Sequence, residues 1–319
     1  MSLFTRHKGE AASLPVEGHL PGFDGATGWL NSEPLAPEGL RGKVVLVDFW
    51  TYTCINWLRT LGYVRAWAEK YADRGLAVIG VHTPEFPFEH DVDNVREAAK
   101  DMRVEYPIAL DSAYGVWRAF DNHYWPAVYI ADAEGRVRHH HFGEGAYEEC
   151  EWVIQGLLGI EDGLASPVLE GFEVQADWEN LQSPETYLGA DQAQNFAGSG
   201  SDGRELRLNQ WALSGDWTIE GGKSVLNGSE GGIVFRFHAR DVNLVMGPPA
   251  RGASVPFSVL VDGEPPGAAH GLDVDEVGRG TLGQQRLHQL IREPGSITDR
   301  TFEITFLGPG AEAYCFTFG

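Results

Sequence analysis

The stretch VVLVDFWTYTCINWLRT, residues 44–60, combines a strand, a turn and a helix, and it decides the fold of the first half of the chain. Its opening residues, VVLVDFW, form the mostly apolar run that is typical of a strand buried on both faces. The following helix places Cys54 at its start, where unpaired backbone N–H groups and the helix dipole favour an anion. We therefore predict that the thiol has a pKa below about 8.5 and supplies a nucleophilic thiolate.

Buried strands and amphipathic helices alternate from this stretch to about residue 160, which predicts an α/β domain around a central sheet. Beyond it, short alternating runs separated by Gly and Pro predict an all-β sandwich. We predict a lead-in segment over residues 1–40, the α/β domain over 41–160, a linker over 161–185 and the sandwich over 186–319.

The charge balance narrows the classes of partner. Lysine and arginine number 24 against 46 aspartates and glutamates, a formal charge of −22, which argues against binding nucleic acid or anionic membranes. The chain lacks both an apolar run of roughly 20 residues and the apolar core of a signal peptide. We therefore expect a cytoplasmic protein, or a periplasmic one if an export signal has been trimmed. Three cysteines are too few for a disulfide framework, and no cofactor is predicted.

Two motifs carry a resemblance to a known family. VDFWTYTCINW resembles the thioredoxin segment VDFWA-x-W-C-x-x-C, and YWPAVYI (residues 124–130) resembles the cis-proline strand of that family. The resemblance implies that Cys54 is the nucleophile, that Asp48 is the buried acid used in proton transfer, and that Trp125–Pro126 is a cis bond. It places Trp57 where the family has its resolving cysteine.

The resemblance extends along nearly the whole chain from about residue 40. FWTYTCIN, GLAVIGVHTPEF and YWPAVYIADAEGRVRHHHFGEG resemble the redoxin domain of DipZ-type cytochrome c biogenesis proteins. SPETYLGADQAQNF, NQWALSGDWTIE and VDGEPPGAAHG resemble the jelly-roll sandwich, similar to a carbohydrate-binding module, that follows it. The implied architecture is a thioredoxin-like redoxin domain followed by a sandwich. The membrane-spanning part of DipZ-type proteins is not among the matched segments, so the resemblance implies no transmembrane electron relay for these residues.

Trp57 restricts the chemistry, because an indole cannot attack a mixed disulfide. The CxxW motif therefore predicts a monothiol thiol-disulfide oxidoreductase, in which an external thiol resolves Cys54 and a protein disulfide is the other partner. Thr51 and Thr53 are expected to donate hydroxyl hydrogen bonds to the thiolate. Asn56 and Trp57 are expected to border the site, with Trp57 as an apolar wall.

Three other interpretations stay open. Cys150 or Cys315 could resolve Cys54 from elsewhere in the fold. Cys54 could instead be a relic in a non-catalytic binding protein, since a fold does not fix a function. A peroxiredoxin-like thiol peroxidase is the lesser option: Thr51 lies three residues before Cys54 as in peroxiredoxins, but their preceding proline is absent.

Further candidates lie outside the motif. His82 and Glu85 follow a central strand, at the edge where open α/β sheets place ligands, and could assist proton transfer. In the sandwich, three aromatic side chains are candidates for stacking on sugar rings: Tyr187, Trp211 and Trp217. Asp273 and Asp275 have the i, i+2 spacing of calcium loops, although the rest of that pattern fails. In RHHHF only His139 and His141 share a strand face, so we predict no metal there.

Overall fold

The computed structural model describes residues 14–199 and 206–319 of the chain. Residues 1–13 of the predicted lead-in segment and residues 200–205 of the predicted sandwich lie outside these ranges. The chain divides into two units, Met1–Glu173 and Val174–Gly319, and each is described by itself.

A seven-stranded sheet forms the centre of the first unit, in the order β1-β7-β6-β3-β4-β5-β2. Its strands are β1 (Gly18–His19), β2 (Gly28–Leu30), β3 (Val44–Trp50), β4 (Leu76–His82), β5 (Ile108–Leu110), β6 (Ala127–Ala131) and β7 (Arg136–Phe142). Strand β3 pairs in parallel with β4 and antiparallel with β6, and all seven of its residues are buried. Burial on both sides explains why its sequence is almost continuously apolar.

Helices follow these strands. They are α1 (Pro37–Leu40), α2 (Ile55–Tyr71), α3 (Val92–Asp101), α4 (Gly115–Ala119) and α5 (Tyr147–Leu158), with 3-10 turns at Ala72–Arg74, Pro87–His90 and Gly171–Glu173. Helix α2 is continued by the 3-10 turn Ala72–Arg74, which Gly75 ends. The φ of Gly75, 100°, lies in the left-handed region that glycine adopts without a Cβ clash. Because β3 and β4 are parallel and β6 runs against them, the ends of β3 and β4 meet the start of β6 at one edge of the sheet.

The second unit is a curled, all-β sandwich. Its strands are β8 (Thr186–Tyr187), β9 (Phe196–Ser199), β10 (Trp211–Ile219), β11 (Ser224–Phe237), β12 (Asp241–Gly247), β13 (Val255–Val261), β14 (Arg279–Leu282), β15 (Arg286–Arg292), β16 (Arg300–Phe306) and β17 (Glu312–Phe318). A 3-10 turn spans Gly267–Ala269. The main path of the sheet runs β14-β13-β16-β11-β17-β12-β15. The long strand β11 pairs with β16 near its end and with β17 at its start, which lets the sheet curl.

The sandwich core lies between the inward faces of these strands. Large side chains from five strands fill it: Trp211, Phe235, Phe257, Phe302 and Phe316. Strand β13 alternates buried and more exposed residues along VPFSVLV, the period-two pattern of a strand with one face on a core. The predicted fold class, a thioredoxin-like α/β domain followed by an all-β sandwich, is confirmed.

Within residues 14–199 and 206–319, none of the helices has the length and apolar character needed to cross a membrane.

Candidate functional site

Cys54 lies at the start of α2, as the sequence predicts. It is the N-cap residue of the helix, its carbonyl accepts the N–H of Leu58, and its own N–H donates to the Thr51 carbonyl. The residue is partly exposed, whereas Cys150 and Cys315 are buried. Cys54 is therefore the one cysteine of the chain that solvent and a substrate can reach.

The start of β6 faces the Cys54 thiol. The Trp125–Pro126 peptide bond is cis, and the Cys54 Sγ lies 3.8 Å from the Trp125 carbonyl oxygen. The Trp125 indole N–H donates to the Thr83 carbonyl over 3.1 Å, and its ring centroid lies 4.4 Å from that of Trp117. These two contacts fix the Trp125 ring, so its carbonyl is held beside the thiol.

Trp57 is fully buried behind the cysteine. Its ring stacks on Trp50 with centroids 4.3 Å apart, and its indole N–H donates to the Asp48 Oδ2 over 2.9 Å. A Cβ added to Gly80 would lie 2.8 Å from the Trp50 Nε1, so a glycine is required for this packing. The expected apolar wall is corrected here: Trp57 contributes no exposed surface and instead supplies a hydrogen bond to the buried acid.

Asp48 lies in the middle of β3 with no exposed surface. Trp57 and the more distant Tyr106 hydroxyl, at 3.4 Å, both donate to its Oδ2, whereas its Oδ1 has no partner among the described residues. Burial raises the pKa of Asp48 from 3.8 to about 7, and the two hydrogen bonds oppose that rise. The carboxyl group is therefore protonated through most of the acidic range.

Thr53 of the TYTC turn faces a carboxylate and not the thiol, whereas the Thr51 hydroxyl has no hydrogen-bond partner among the described residues. Thr53 Oγ1 donates to the Glu89 Oε1 over 2.6 Å, which corrects the expectation that it bonds to the Cys54 thiolate. Glu89 has no exposed surface, and its Oε2 accepts the backbone N–H groups of Glu85 and Phe86. Burial raises the pKa of Glu89, and its hydrogen bonds from Thr53, Phe86 and Glu85 oppose that rise.

Asn56 and Glu85 both lie at the periphery of the site. Asn56 is partly exposed next to Cys54, and its carbonyl accepts the Thr60 hydroxyl over 2.9 Å. Glu85 is partly exposed on the loop after β4, where its N–H donates to Glu89. Roles for these two side chains stay predictions.

His82 is buried at the end of β4, between aromatic rings. Its ring meets Trp50 edge-on at 4.8 Å and stacks on Tyr52 at 5.8 Å. Burial lowers the pKa of His82 from 6.5 to about 3, so the ring stays neutral. His82 is thus a packing residue and not the proton carrier that its place at the strand end predicted.

The other two cysteines are both buried. Burial raises the pKa of Cys150 from 9.0 to about 12, and its Sγ lies 3.8 Å from the His139 Nε2. Cys315 lies in β17 of the second unit and donates to the Phe316 carbonyl. A buried thiol with a raised pKa supplies little thiolate, so nothing favours internal resolution by Cys150.

The predicted sugar-stacking residues differ in exposure. Trp211 is fully buried and donates its indole N–H to the Gln194 carbonyl, so its expected role in stacking is wrong. The prediction is wrong because the Trp211 ring fills the sandwich core. Trp217 and Tyr187 are partly exposed: Trp217 packs its edge near Phe306, and the Tyr187 hydroxyl donates to Glu185.

The weak calcium candidate formed by Asp273 and Asp275 does not form a cation site. Asp273 accepts Arg286 and the Gln289 N–H, whereas Asp275 accepts the N–H groups of Val277 and Arg279. These carboxylates are engaged in separate interactions, so they do not converge on a cation. Across the described ranges, no group of three or more His, Cys, Asp or Glu side chains is placed to hold a metal.

Sequence reasoning missed Glu89 as part of the site. A signal was present, because PEFPFEH places a proline at the first position of a helical turn and a glutamate at its third, the pattern of a helix-capping glutamate. The pattern does not reveal that the second oxygen of the carboxylate reaches Thr53, 36 residues away.

Comparison with known proteins agrees with this geometry. Residues 19–140 match the AhpC/TSA family, and residues 183–319 match the thioredoxin like C-terminal domain. The thiol-disulfide oxidoreductase YkuV of Bacillus subtilis is 32% identical over 139 residues, which cover 44% of this chain and 93% of YkuV. The chain belongs to the thioredoxin-like redoxin family.

Similarity also spans both units. Protein DipZ of Mycobacterium bovis is 39% identical over 269 residues, which cover 80% of this chain but 38% of DipZ. The chain thus spans little more than a third of that relative. A solution structure of a thioredoxin-like protein in its oxidized form aligns with 46% of this chain and 100% of its own, at 30% identity and a TM-score of 0.42.

Proposed function

We propose that this protein is a monothiol thiol-disulfide oxidoreductase with Cys54 as its nucleophile. The observation that carries the proposal is the contrast between a partly exposed Cys54 and a fully buried Trp57 at the position of the resolving cysteine. A thiol-disulfide oxidoreductase of known sequence is similar over the first unit, which supports the same class of chemistry.

The proposed reaction has two exchange steps. The Cys54 thiolate attacks one sulfur of a substrate disulfide, the S–S bond breaks, and the departing thiolate takes up a proton. An external thiolate then attacks the mixed disulfide at the substrate sulfur, which releases Cys54 as a thiolate. The substrate has exchanged one thiol partner for another, and the protein ends in the state in which it began.

The first test is turnover with glutathione as the external thiol and a glutathione-free peptide disulfide as the substrate. The wild-type protein should accelerate the exchange, Cys54→Ser should not, and Cys315→Ser should behave as wild type because that thiol is buried in the other unit. A wild-type protein no faster than Cys54→Ser would overturn the proposal and favour a non-catalytic binding protein.

The peroxidase alternative has its own readout. In that reaction the Cys54 thiolate would attack a peroxide oxygen, forming a sulfenic acid and releasing an alcohol or water. Hydrogen peroxide consumption that outpaces disulfide exchange would move the assignment to a thiol peroxidase.

For the sandwich, we propose carbohydrate as the partner to test, with the partly exposed Tyr187 and Trp217 as the stacking side chains. Binding to a glycan array that is lost in Trp217→Ala would support this. An array with no binding would favour a structural role for the sandwich.

A further inference from the structure

We propose that Glu89 is a positioning residue for Cys54, acting through the Thr53 hydroxyl. The proposal rests on the proposed function, because it concerns the reactivity of the same thiol. Glu89 has no exposed surface and belongs to the 3-10 turn Pro87–His90, in the loop that follows β4. Its side chain reaches across to the turn that carries the nucleophile.

The carboxylate joins two irregular segments of chain. Its Oε1 accepts the Thr53 hydroxyl over 2.6 Å, and its Oε2 accepts the N–H groups of Glu85 and Phe86 over 2.6 and 2.8 Å. Donors from both segments therefore converge on one group. The Thr53 hydroxyl belongs to the residue immediately before Cys54, so its position constrains the backbone from which the thiol projects.

The hydrogen bonding of the TYTC turn supports the same conclusion. Thr51, Tyr52 and Thr53 are all buried in this turn, and the Thr53 hydroxyl donates to Glu89. The Cys54 N–H donates to the Thr51 carbonyl over 3.2 Å, so the hydrogen-bonded turn that ends at Cys54 contains the residue bonded to this carboxylate, Thr53. The Cys54 side chain makes no capping hydrogen bond to the helix, so its direction depends on that turn.

The energetic cost of the arrangement also needs an explanation. Burying a carboxylate is expensive even when hydrogen bonds satisfy it, and an apolar side chain of similar volume is often as stable or more so. The buried Glu89 links the turn that carries Cys54 to the loop after β4, and this link fixes the geometry of the turn. We take that geometry to be the function of Glu89.

The test measures how fast iodoacetamide alkylates Cys54, across a pH series that separates the limiting rate constant from the thiol pKa. The variants are Thr53→Val, Glu89→Gln and the double variant, with Thr53→Ser as the rescue. The valine keeps the shape of threonine without its hydroxyl. The glutamine keeps the volume of glutamate but has one acceptor oxygen in place of two.

Glu151→Gln is the matched control. Glu151 is another buried carboxylate of the first unit, and it accepts Trp67, Lys70 and Tyr71 from the far end of α2. Its loss should destabilise the unit without changing the limiting rate constant of Cys54. Protection of the buried Cys150 from alkylation confirms that each variant is folded.

We expect Thr53→Val and Glu89→Gln each to lower the limiting rate constant by about tenfold. The rate constant of the double variant should be no more than about twofold lower still, because both substitutions remove the same interaction. Thr53→Ser and Glu151→Gln should stay within about twofold of wild type. Single variants at the wild-type rate, losses that multiply in the double variant, or an equal loss in Glu151→Gln would each overturn the proposal.

Alkylation needs neither a disulfide nor a resolving thiol. If wild-type Cys54 failed to exchange disulfides, the proposed function would fall, whereas the comparison of alkylation rates would still decide the role of Glu89.

Discussion

Replacement of Asp48 by asparagine should remove a pH dependence of stability from the first unit. The folded protein raises the pKa of this carboxyl from 3.8 to about 7, so its neutral form is favoured by folding. The stability contributed by this group is fully present below pH 3.8 and is lost as the pH rises through about 7. Asparagine stays neutral throughout and can still accept the Trp57 N–H.

The magnitude follows from the two pKa values. Between them the unfolded chain has released a proton that the folded chain retains, so stability falls by about 1.4 kcal/mol per pH unit. From pH 5 to pH 8 the free energy of unfolding of the wild type should therefore fall by about 2.5 kcal/mol relative to Asp48→Asn. The buried His82 titrates in both proteins, so its contribution cancels in the difference.

The chain provides its own reporters for this measurement. Cys150 is buried in the first unit and Cys315 in the second, so short alkylation pulses along a urea titration follow each unit separately. The difference between wild type and Asp48→Asn should depend on pH at Cys150 and not at Cys315. A difference at Cys150 that is constant from pH 5 to pH 8 would refute the raised pKa and the desolvation on which it rests.

Two further changes test the packing of each unit. Trp57→Phe keeps the stack on Trp50 but removes the N–H donor to Asp48, so it should lower the free energy of unfolding by about 1–3 kcal/mol. The loss should be larger at pH 8 than at pH 5, because the ionised carboxylate depends on the donor more than the neutral acid does. An equal loss at both pH values would contradict this. In the sandwich, Asp241 is buried and accepts hydrogen bonds from Arg240 and Arg292. Asp241→Ala should therefore destabilise the second unit by about 2 kcal/mol, which would be seen as alkylation of Cys315 at lower urea concentration. The exposed Glu220, 3.9 Å from Lys223, is the control, and Glu220→Ala should cost less than about 0.5 kcal/mol.

Much of the fold could be predicted where the hydrophobic pattern is strong. The apolar runs at Val44–Trp50 and Leu76–His82 correspond to β3 and β4. The helical segment between these two strands ends at Gly75, which has the left-handed backbone conformation expected of a glycine at that position. Strands β1 and β2 were not predicted. They are two and three residues long, too short to show a period, and they are defined by pairing with β7 and β5.

The candidate site was predictable only as far as the local motif extends. Cys54 at a helix start, a buried Asp48 and a cis Pro126 all follow from short sequence patterns. The contact from Thr53 to Glu89 joins loops far apart in sequence, and a glutamate is ordinarily an exposed residue. The burial of Trp211 and His82 likewise depends on rings contributed by other strands.

The most direct test of the monothiol account is the fate of the Cys54 mixed disulfide. Reduced protein is mixed with excess 2,2′-dithiodipyridine, the released thiopyridone is counted, and mass spectrometry locates the adduct. The account predicts one thiopyridone per folded chain, an adduct on Cys54 that persists, and its release at a rate proportional to added thiol. Release of a second thiopyridone without added thiol, or no adduct on Cys54, would contradict it.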